Sequence, residues 1–313
     1  FKSAPVLDLP VFHGGYVGYF SYESIRYIEP KLADDQKEDP LDLPDILLLL
    51  SEEVLIFDNL AGTLRLVVNV NCNQVDGYER AQLRLDELVS NLESAGPSLD
   101  SLSISEPAAG KGCPEIAFST SRANFEGWVE RIRDYIVEGD VMQVVASQRM
   151  TIPFVASPLS LYRALRNLNP SPYMYFLDLA NFQIVGSSPE ILVRYQSGHI
   201  TVRPIAGTRP RGGTEQQDQA LALELLADEK EAAEHLMLID LGRNDVGRIS
   251  EKGTVALTER MVVERYSHVM HMVSNVTGRA RNGISAIDAL KATLPAGTLS
   301  GAPKFRAMEI INE

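Results

Sequence analysis

Apolar positions along the chain follow two different periods. Tyr78, Leu83, Leu85, Leu88 and Leu92 recur at roughly helical intervals and predict a helix over Asp76–Leu92. Phe125, Trp128, Ile132, Tyr135 and Ile136 mark a second amphipathic helix, capped by Asn124 or Ser121. Pro158–Asn167 and the long stretch Gln217–Leu241 also read as helical, and Phe305, Met308 and Ile311 place a helix on Lys304–Glu313, with Gly301-Ala302-Pro303 as its start. Between these lie β-prone runs. Phe12–Tyr22 is a Gly- and aromatic-rich strand suited to close backbone approach. Ile46–Phe57 and Leu64–Val70 are joined by Asn59-Leu60-Ala61-Gly62 as a hairpin. Val141–Ile152 is β-prone, Tyr173–Leu179 and Gln183–Val193 form an antiparallel pair, and Thr201–Pro204 extends the sheet. Gly253–Val263 and Ser267–Gly278 add further strands. Strands in runs, interrupted by helices, predict an α+β protein with antiparallel sheets rather than a βαβ alternation.

Lys31–Asp45 is an acidic, Pro-containing loop, and Ser94–Pro114 is rich in Ser, Gly, Pro and Ala without periodicity. The expected organisation is therefore an N-terminal part over 1–93, a linker over 94–114 and a larger region over 115–313. The chain begins with Phe, without a signal-peptide pattern, and its last amphipathic helix is followed by nothing. It reads as an internal piece of a longer protein, with segments expected on both sides.

Composition narrows the function classes. Of 313 residues, 45% are hydrophobic, enough for a substantial core, and 29 Lys and Arg against 42 Asp and Glu give a net charge of −13. That balance argues against a binder of the nucleic-acid backbone, while leaving room for a small anion in a local pocket. The run Ile46–Leu50 is far shorter than the ~20 apolar residues of a membrane span. Two cysteines, Cys72 and Cys113, make no disulfide framework and fit a reducing, cytoplasmic compartment.

Several segments carry candidate chemistry. Pro204–Gly212 packs two Arg, two Pro and two Gly into nine residues, either a surface turn or a carboxylate- or phosphate-binding strand end. In Asp228–His235, Glu231 and Glu234 are three apart and share a helix face, and Leu236–Ile239 is apolar all round, so the helix should enter the interior with its carboxylates. Such a pair suits a hard divalent cation such as Mg2+, against the plainer reading of a solvated face. Tyr266–His271 reads as a strand in which His268 and His271 face opposite sides, so one of them at most is catalytic. Ser188-Pro189-Glu190 ends an apolar strand with a carboxylate. Pro295–Pro303 is a Gly-rich loop opening a helix, a place for backbone N–H groups to meet an anion, without the Gly-Lys-Ser/Thr ending of a nucleotide loop.

Taken together, Gly186–Glu190, Pro204–Gly212, Asp228–His235 with Ile239–Asp245, Tyr266–His271 and Pro295–Pro303 resemble, in order and spacing, the chorismate-utilising enzymes. The resemblance spans the chain and is strongest from Trp128 onward. It implies two antiparallel β-sheets packed face to face with helices outside. Within the family, the enzymes that add water use a Lys where this chain has Gln143, and aminodeoxychorismate synthases carry a Lys where it has Ala206. With neither Lys, the implied nucleophile is ammonia, supplied by a glutamine amidotransferase subunit, and the implied products are anthranilate and pyruvate. Ala296-Gly297-Thr298 is similar to the same branch. By resemblance, Glu234 holds Mg2+ with Glu231 bonding a metal-bound water or second carboxylate. Glu190 is the general acid for the departing ring hydroxyl, and His271 takes the ring proton. Thr298, Gly297 and Thr208 orient the substrate. Asn169-Pro170-Ser171-Pro172-Tyr173-Met174 resembles part of a tryptophan feedback site, in which Asn169, Pro170 and Met174 would take part. Aminodeoxychorismate synthesis, and a non-catalytic chain that binds only a ligand or a glutaminase, are the alternatives.

Overall fold

The structure is a computed structural model, and it describes residues 6, 8–33, 39–94, 96 and 115–313. Most of the expected linker 94–114, with Cys113, lies outside the described residues. The chain divides into two compact units, one of 1–24 with 39–101, the other of 25–38 with 102–313. Ile25 and Leu32 pack with the second unit, burying themselves against Met308.

In the first unit, β1 (Gly15–Phe20) pairs antiparallel with β2 (Ile46–Ser51), and β3 (Glu53–Asp58) with β4 (Thr63–Val68); α1 (Gly77–Glu93) follows. The single β-prone run expected over Ile46–Phe57 is thus two strands. They part at the polar Ser51-Glu52-Glu53 and go to different partners. Gly18 explains the close approach read from the sequence, since a Cβ there would run into the Leu47 carbonyl of β2.

The second unit begins with β5 (Ala117–Phe118), α2 (Arg122–Glu138), β6 (Gln143–Val144), β7 (Met150–Thr151) and α3 (Pro158–Leu168). The α2 cap is Ser121, whose side chain accepts from the Asn124 N–H. Only two short pieces of the β-prone Val141–Ile152 enter sheets. Next come β8 (Tyr173–Asp178), β9 (Gln183–Ser188), β10 (Arg194–Gln196), β11 (His199–Val202) and β12 (Ile205–Pro210). The chain continues through α4 (Glu215–Ala227), α5 (Glu229–Gly247), β13 (Ala256–Arg265), β14 (Val269–Arg279), α6 (Ala286–Thr293), β15 (Gly301–Ala302) and α7 (Lys304–Asn312).

Among the described residues the strands form one five-stranded sheet and five two-stranded ones, with every pairing antiparallel, as the α+β reading requires. In the large sheet β14 is central. One of its edges pairs with β13; the other pairs with β12 over Val269–Val273 and with β11 over Val276–Arg279. One face of this sheet is covered by helices. Leu225 and Ala222 of α4 pack on Met270 and Met272, and Ile239 and Val246 of α5 pack on Val276 and Ile200. At ~25 cal/mol per Å² of apolar surface, side chains so fully enclosed make this layer the main stabilising element of the unit.

The long helix expected over Gln217–Leu241 is broken at Asp228. Its carboxylate accepts from the N–H groups of Lys230 (3.0 Å) and Glu231 (3.1 Å), so a helix starts here as α4 ends. α5 is also more one-sided than its sequence suggests: His235, Leu238 and Ile239 are buried, but Leu236 is exposed. No helix among the described residues is long and apolar enough to cross a membrane.

Candidate active site

Gly207 interrupts β12. The register against β14 shifts between Ala206 and Thr208, and Gly207 takes φ +69°, so the strand bulges there. The bulge brings three elements together. Its carbonyl lies 3.2 Å from His271 Nδ1 on β14, and Thr208 Oγ1 lies 3.0 Å from the same nitrogen. A carbonyl can only accept, so Nδ1 is a protonated nitrogen and Nε2 is the one left to act as a base. The Tyr266 ring packs edge-on at 5.5 Å and fixes the imidazole plane. On the helix side, a Cβ at Gly207 would lie 2.9 Å from Leu225 Cδ1 and 3.3 Å from Glu231 Oε2. A Gly207→Ala substitution therefore combines a left-handed backbone with crowding against α4 and α5. We expect it to destabilise the protein by about 1–3 kcal/mol in chemical denaturation; an unchanged midpoint would disprove the strain.

Arg209 ties the bulge to the helices. It donates to Glu224 (2.9 Å), to Asp228 (2.8 Å) and to the Thr208 carbonyl (3.0 Å), and lies 3.6 Å from Glu231. The Pro204–Gly212 segment is thus a strand end whose first arginine is engaged with carboxylates of its own chain. Arg211 is likewise taken up by the buried Asp218, whose carboxyl is held well below the usual range chiefly by that guanidinium. Glu231 and Glu234 sit one turn apart on α5, both half-buried, and Glu234 makes no hydrogen bond or ion pair among the described residues. No group of three or more His, Cys, Asp or Glu side chains is gathered for a metal among the described residues. Two carboxylates without nitrogen or sulfur donors fit Mg2+, which binds through one or two carboxylates and keeps its remaining positions for water and substrate oxygen.

Glu190 follows β9. Ser188 Oγ donates to its carbonyl (2.9 Å) and accepts from its N–H (3.3 Å), a local turn that directs the chain inward. The carboxyl lines a small cleft, with about 30 Å³ of free space, together with Leu241, Asp245, Thr293, Gly297 and Thr298. Burial pushes Glu190 up to about 7, against the pull of the Ile205 N–H that donates to it. Gly297 and Thr298 belong to a short 3-10 turn, Gly297–Leu299, lying against Leu241 of α5. The N–H groups of Leu299 and Ser300 are spent on Ala296 and Gly297 carbonyls, so the donors left to an anion narrow to Gly297 and Thr298. Gln143 pairs with Ala302 on the return of this loop, and Ala206 precedes the bulge opposite Met272.

The structure thus brings Glu190, Gly297 and Thr298 to one cleft, and gathers Thr208, His271 and Glu231 around Gly207. His268 is not a strand residue: it lies exposed in the turn before β14, with Ser267 on its Nδ1. Asn169 ends α3, Met174 pairs with Ser187, and the Asn169 carbonyl accepts from Ser187 Oγ at 3.1 Å. This turn therefore flanks the end of the strand that leads to Glu190.

Two buried groups escaped the sequence reading. His235 is fully enclosed, with Nε2 2.7 Å from Ser274 Oγ, and burial lowers it to about 4, so it is neutral. Lys304 donates to Asp245 (2.8 Å) and to the Thr293 carbonyl (2.9 Å). Burial works against both charges, raising Asp245 and lowering Lys304. A Lys in the first turn of an amphipathic helix carries no sign that it points inward. The Asp228-x-x-Glu231 spacing, by contrast, does announce a helix start.

The region thus offers a carboxyl group whose acidity is weakened by burial and an imidazole whose Nδ1 is engaged by its neighbours. Comparison with known proteins shows which family this α+β fold belongs to. The profile of the chorismate binding enzyme family matches residues 2–313, and the chain belongs to that family. It is 56% identical to anthranilate synthase component 1 of Pseudomonas putida, over all of this chain and 63% of that protein. Its identity to the Pseudomonas aeruginosa counterpart is 58%, over 98% of this chain and 62% of the relative. The crystal structure of anthranilate synthase component I from Streptococcus pneumoniae superposes with a TM-score of 0.87 at 40% identity, covering 99% of this chain and 67% of that one. The chain thus spans a little under two thirds of the relatives' length.

Proposed function

We propose that this chain is the chorismate-binding part of an enzyme that converts chorismate and ammonia to anthranilate and pyruvate, the first committed step towards tryptophan. The observation that carries the choice of reaction is the pair Gln143 and Ala206. Neither position offers an amine that could activate water or attack the ring, so the nucleophile must arrive from outside as ammonia. The high identity to proteins named anthranilate synthase component 1 supports the same reading.

In this mechanism Gly297 and Thr298 hold the substrate through backbone N–H and hydroxyl groups at the cleft, and Thr208 bonds it from the bulge. Protonated Glu190 donates to the ring hydroxyl, which leaves as water while ammonia forms the new C–N bond. The nitrogen then gives up its extra proton to solvent, and His271 Nε2 accepts the ring proton as the C–O bond to the enolpyruvyl group breaks and the ring becomes aromatic; the released enolpyruvate takes a proton at its methylene carbon to become pyruvate. Glu234 and Glu231 would hold Mg2+, which supplies fixed positive charge against the ring carboxylate. A component-type relative implies a partner; the proposed one is a glutamine amidotransferase releasing ammonia. Tryptophan at the Asn169–Met174 turn, beside Ser187 and Ser188, would act on the strand that delivers Glu190.

The test is product analysis with chorismate, Mg2+ and ammonium salts at raised pH, without glutamine. Fluorescent anthranilate is expected. Isochorismate or salicylate as main product refutes the nucleophile assignment, aminodeoxychorismate selects the sister reaction, and no turnover leaves a binding chain. Because free ammonia rises with pH while protonated Glu190 declines above about 7, the ammonia-driven rate should pass through a maximum on the alkaline side of neutrality.

A further inference from the structure

The proposed reaction leaves one buried amine unused. Lys304, in the first turn of α7, is 7% exposed, and its two bonds go to Asp245 on α5 and to the Thr293 carbonyl at the end of α6. Residues 294–303, which carry Gly297 and Thr298, form the loop between Thr293 and Lys304. One side chain therefore joins the loop's two ends and pins both to α5. The returning half of the loop has ties of its own: Val145 N–H donates to Ser300 (2.9 Å) and Met142 N–H to Ala302 (2.7 Å). The outgoing half, up to Thr298, lacks such strand pairing and rests on Leu241 and on the Thr293 anchor. Asp245 and Thr293 themselves line the cleft that holds Glu190 and Thr298.

We propose that Lys304 is a positioning residue: through Asp245 and Thr293 it sets the Gly297–Thr298 segment against the Glu190 cleft, and the affinity for substrate depends on it. The affinity part rests on the reading of this cleft as the chorismate site; the loop part does not. Removing Lys304 alone would strand a buried carboxylate and confuse the result with misfolding. The informative variant is Asp245→Leu/Lys304→Met, since a buried pair is commonly replaced by apolar side chains of similar volume without loss of fold. Methionine cannot bond the Thr293 carbonyl.

Two measurements on the full chain decide the matter. Hydrogen–deuterium exchange without substrate should show amides 294–300 exchanging about tenfold faster or more, with α5 and β14 unchanged. Steady-state kinetics should show KM for chorismate raised about tenfold or more, with kcat within about threefold. Asp245→Asn, which keeps an acceptor for Lys304, should retain the loop protection of the parent. An unchanged loop, a loosened loop with unchanged KM, or general loss of protection or of folding would each overturn the proposal, the last by making the pair ordinary core. If the parent does not turn over chorismate while the variant's loop is loosened, the substrate reading fails and the loop assignment stands.

Discussion

Replacing Glu190 by Gln is expected to lower anthranilate formation by about 10²–10⁴-fold, the range set by loss of a positioned general acid. Glutamine keeps the volume and can still donate a hydrogen bond, but it has no proton to transfer. At constant free ammonia, the parent's kcat/KM for chorismate should fall as pH rises through about 7, where Glu190 ionises, and this limb should be missing from the residual activity of the variant. The same group affects stability with a definite sign. Its pKa is raised from 4.5 to about 7, so between those values the folded protein holds a proton that the unfolded chain releases. Stability from this source is complete below pH 4.5 and declines as pH rises through about 7, by on the order of 3 kcal/mol. The Gln variant should therefore be the more stable protein at pH 8 and lose that pH dependence in urea titrations. Parental activity in the variant, with the limb near 7 intact, would place the acid elsewhere.

The second large effect is expected at Glu234. Glu234→Gln should weaken the Mg2+ response of turnover by at least ~100-fold, the upper range seen even for groups that only support metal ligands. Because Glu234 has no bonding partner among the described residues, stability should stay within about ±0.5 kcal/mol of the parent. Mn2+ binding followed by electron paramagnetic resonance, with a thermal melt alongside, separates these effects. An unchanged metal response in the folded variant would remove Glu234 from the metal site.

Local periodicity made much of this fold legible. The helices at Gly77–Glu93, Arg122–Glu138 and Pro158–Leu168, and the hairpins β3–β4 and β8–β9, all lie where spacing and turn residues put them. Local periodicity fails where the deciding interaction is not periodic. Gln217–Leu241 keeps a continuous helical composition, and only the capping carboxylate of Asp228 divides it. Val141–Ile152 has β propensity throughout but finds partners only at its ends, β6 with β15 and β7 with β5. The candidate site divides in the same way. Residue types and order brought Glu190, Glu231, Glu234, His271 and Thr298 forward, but the properties that suit two of them to their proposed work are tertiary. The proton on Glu190 follows from enclosure by segments as distant as Thr298, and the tautomer of His271 from a bulge in the neighbouring strand. Lys304 and Asp245 are 59 positions apart, and nothing in either local context announces the other.

The single-residue junction at Asp228 has a consequence for how this chain can vary. Asp228 follows the last turn of α4 and opens the first turn of α5, with no spare residue between them. Each residue of an α-helix advances ~100° about its axis. Adding or deleting one residue just after the cap would turn Glu231 and Glu234 by that angle relative to the Gly207 bulge, and His235, Leu238 and Ile239 away from the sheet. Many substitutions on the outer faces of these helices, such as at the exposed Leu223 and Leu236, leave that phase untouched. The segment should therefore accept changes of side chain readily while keeping an invariant length.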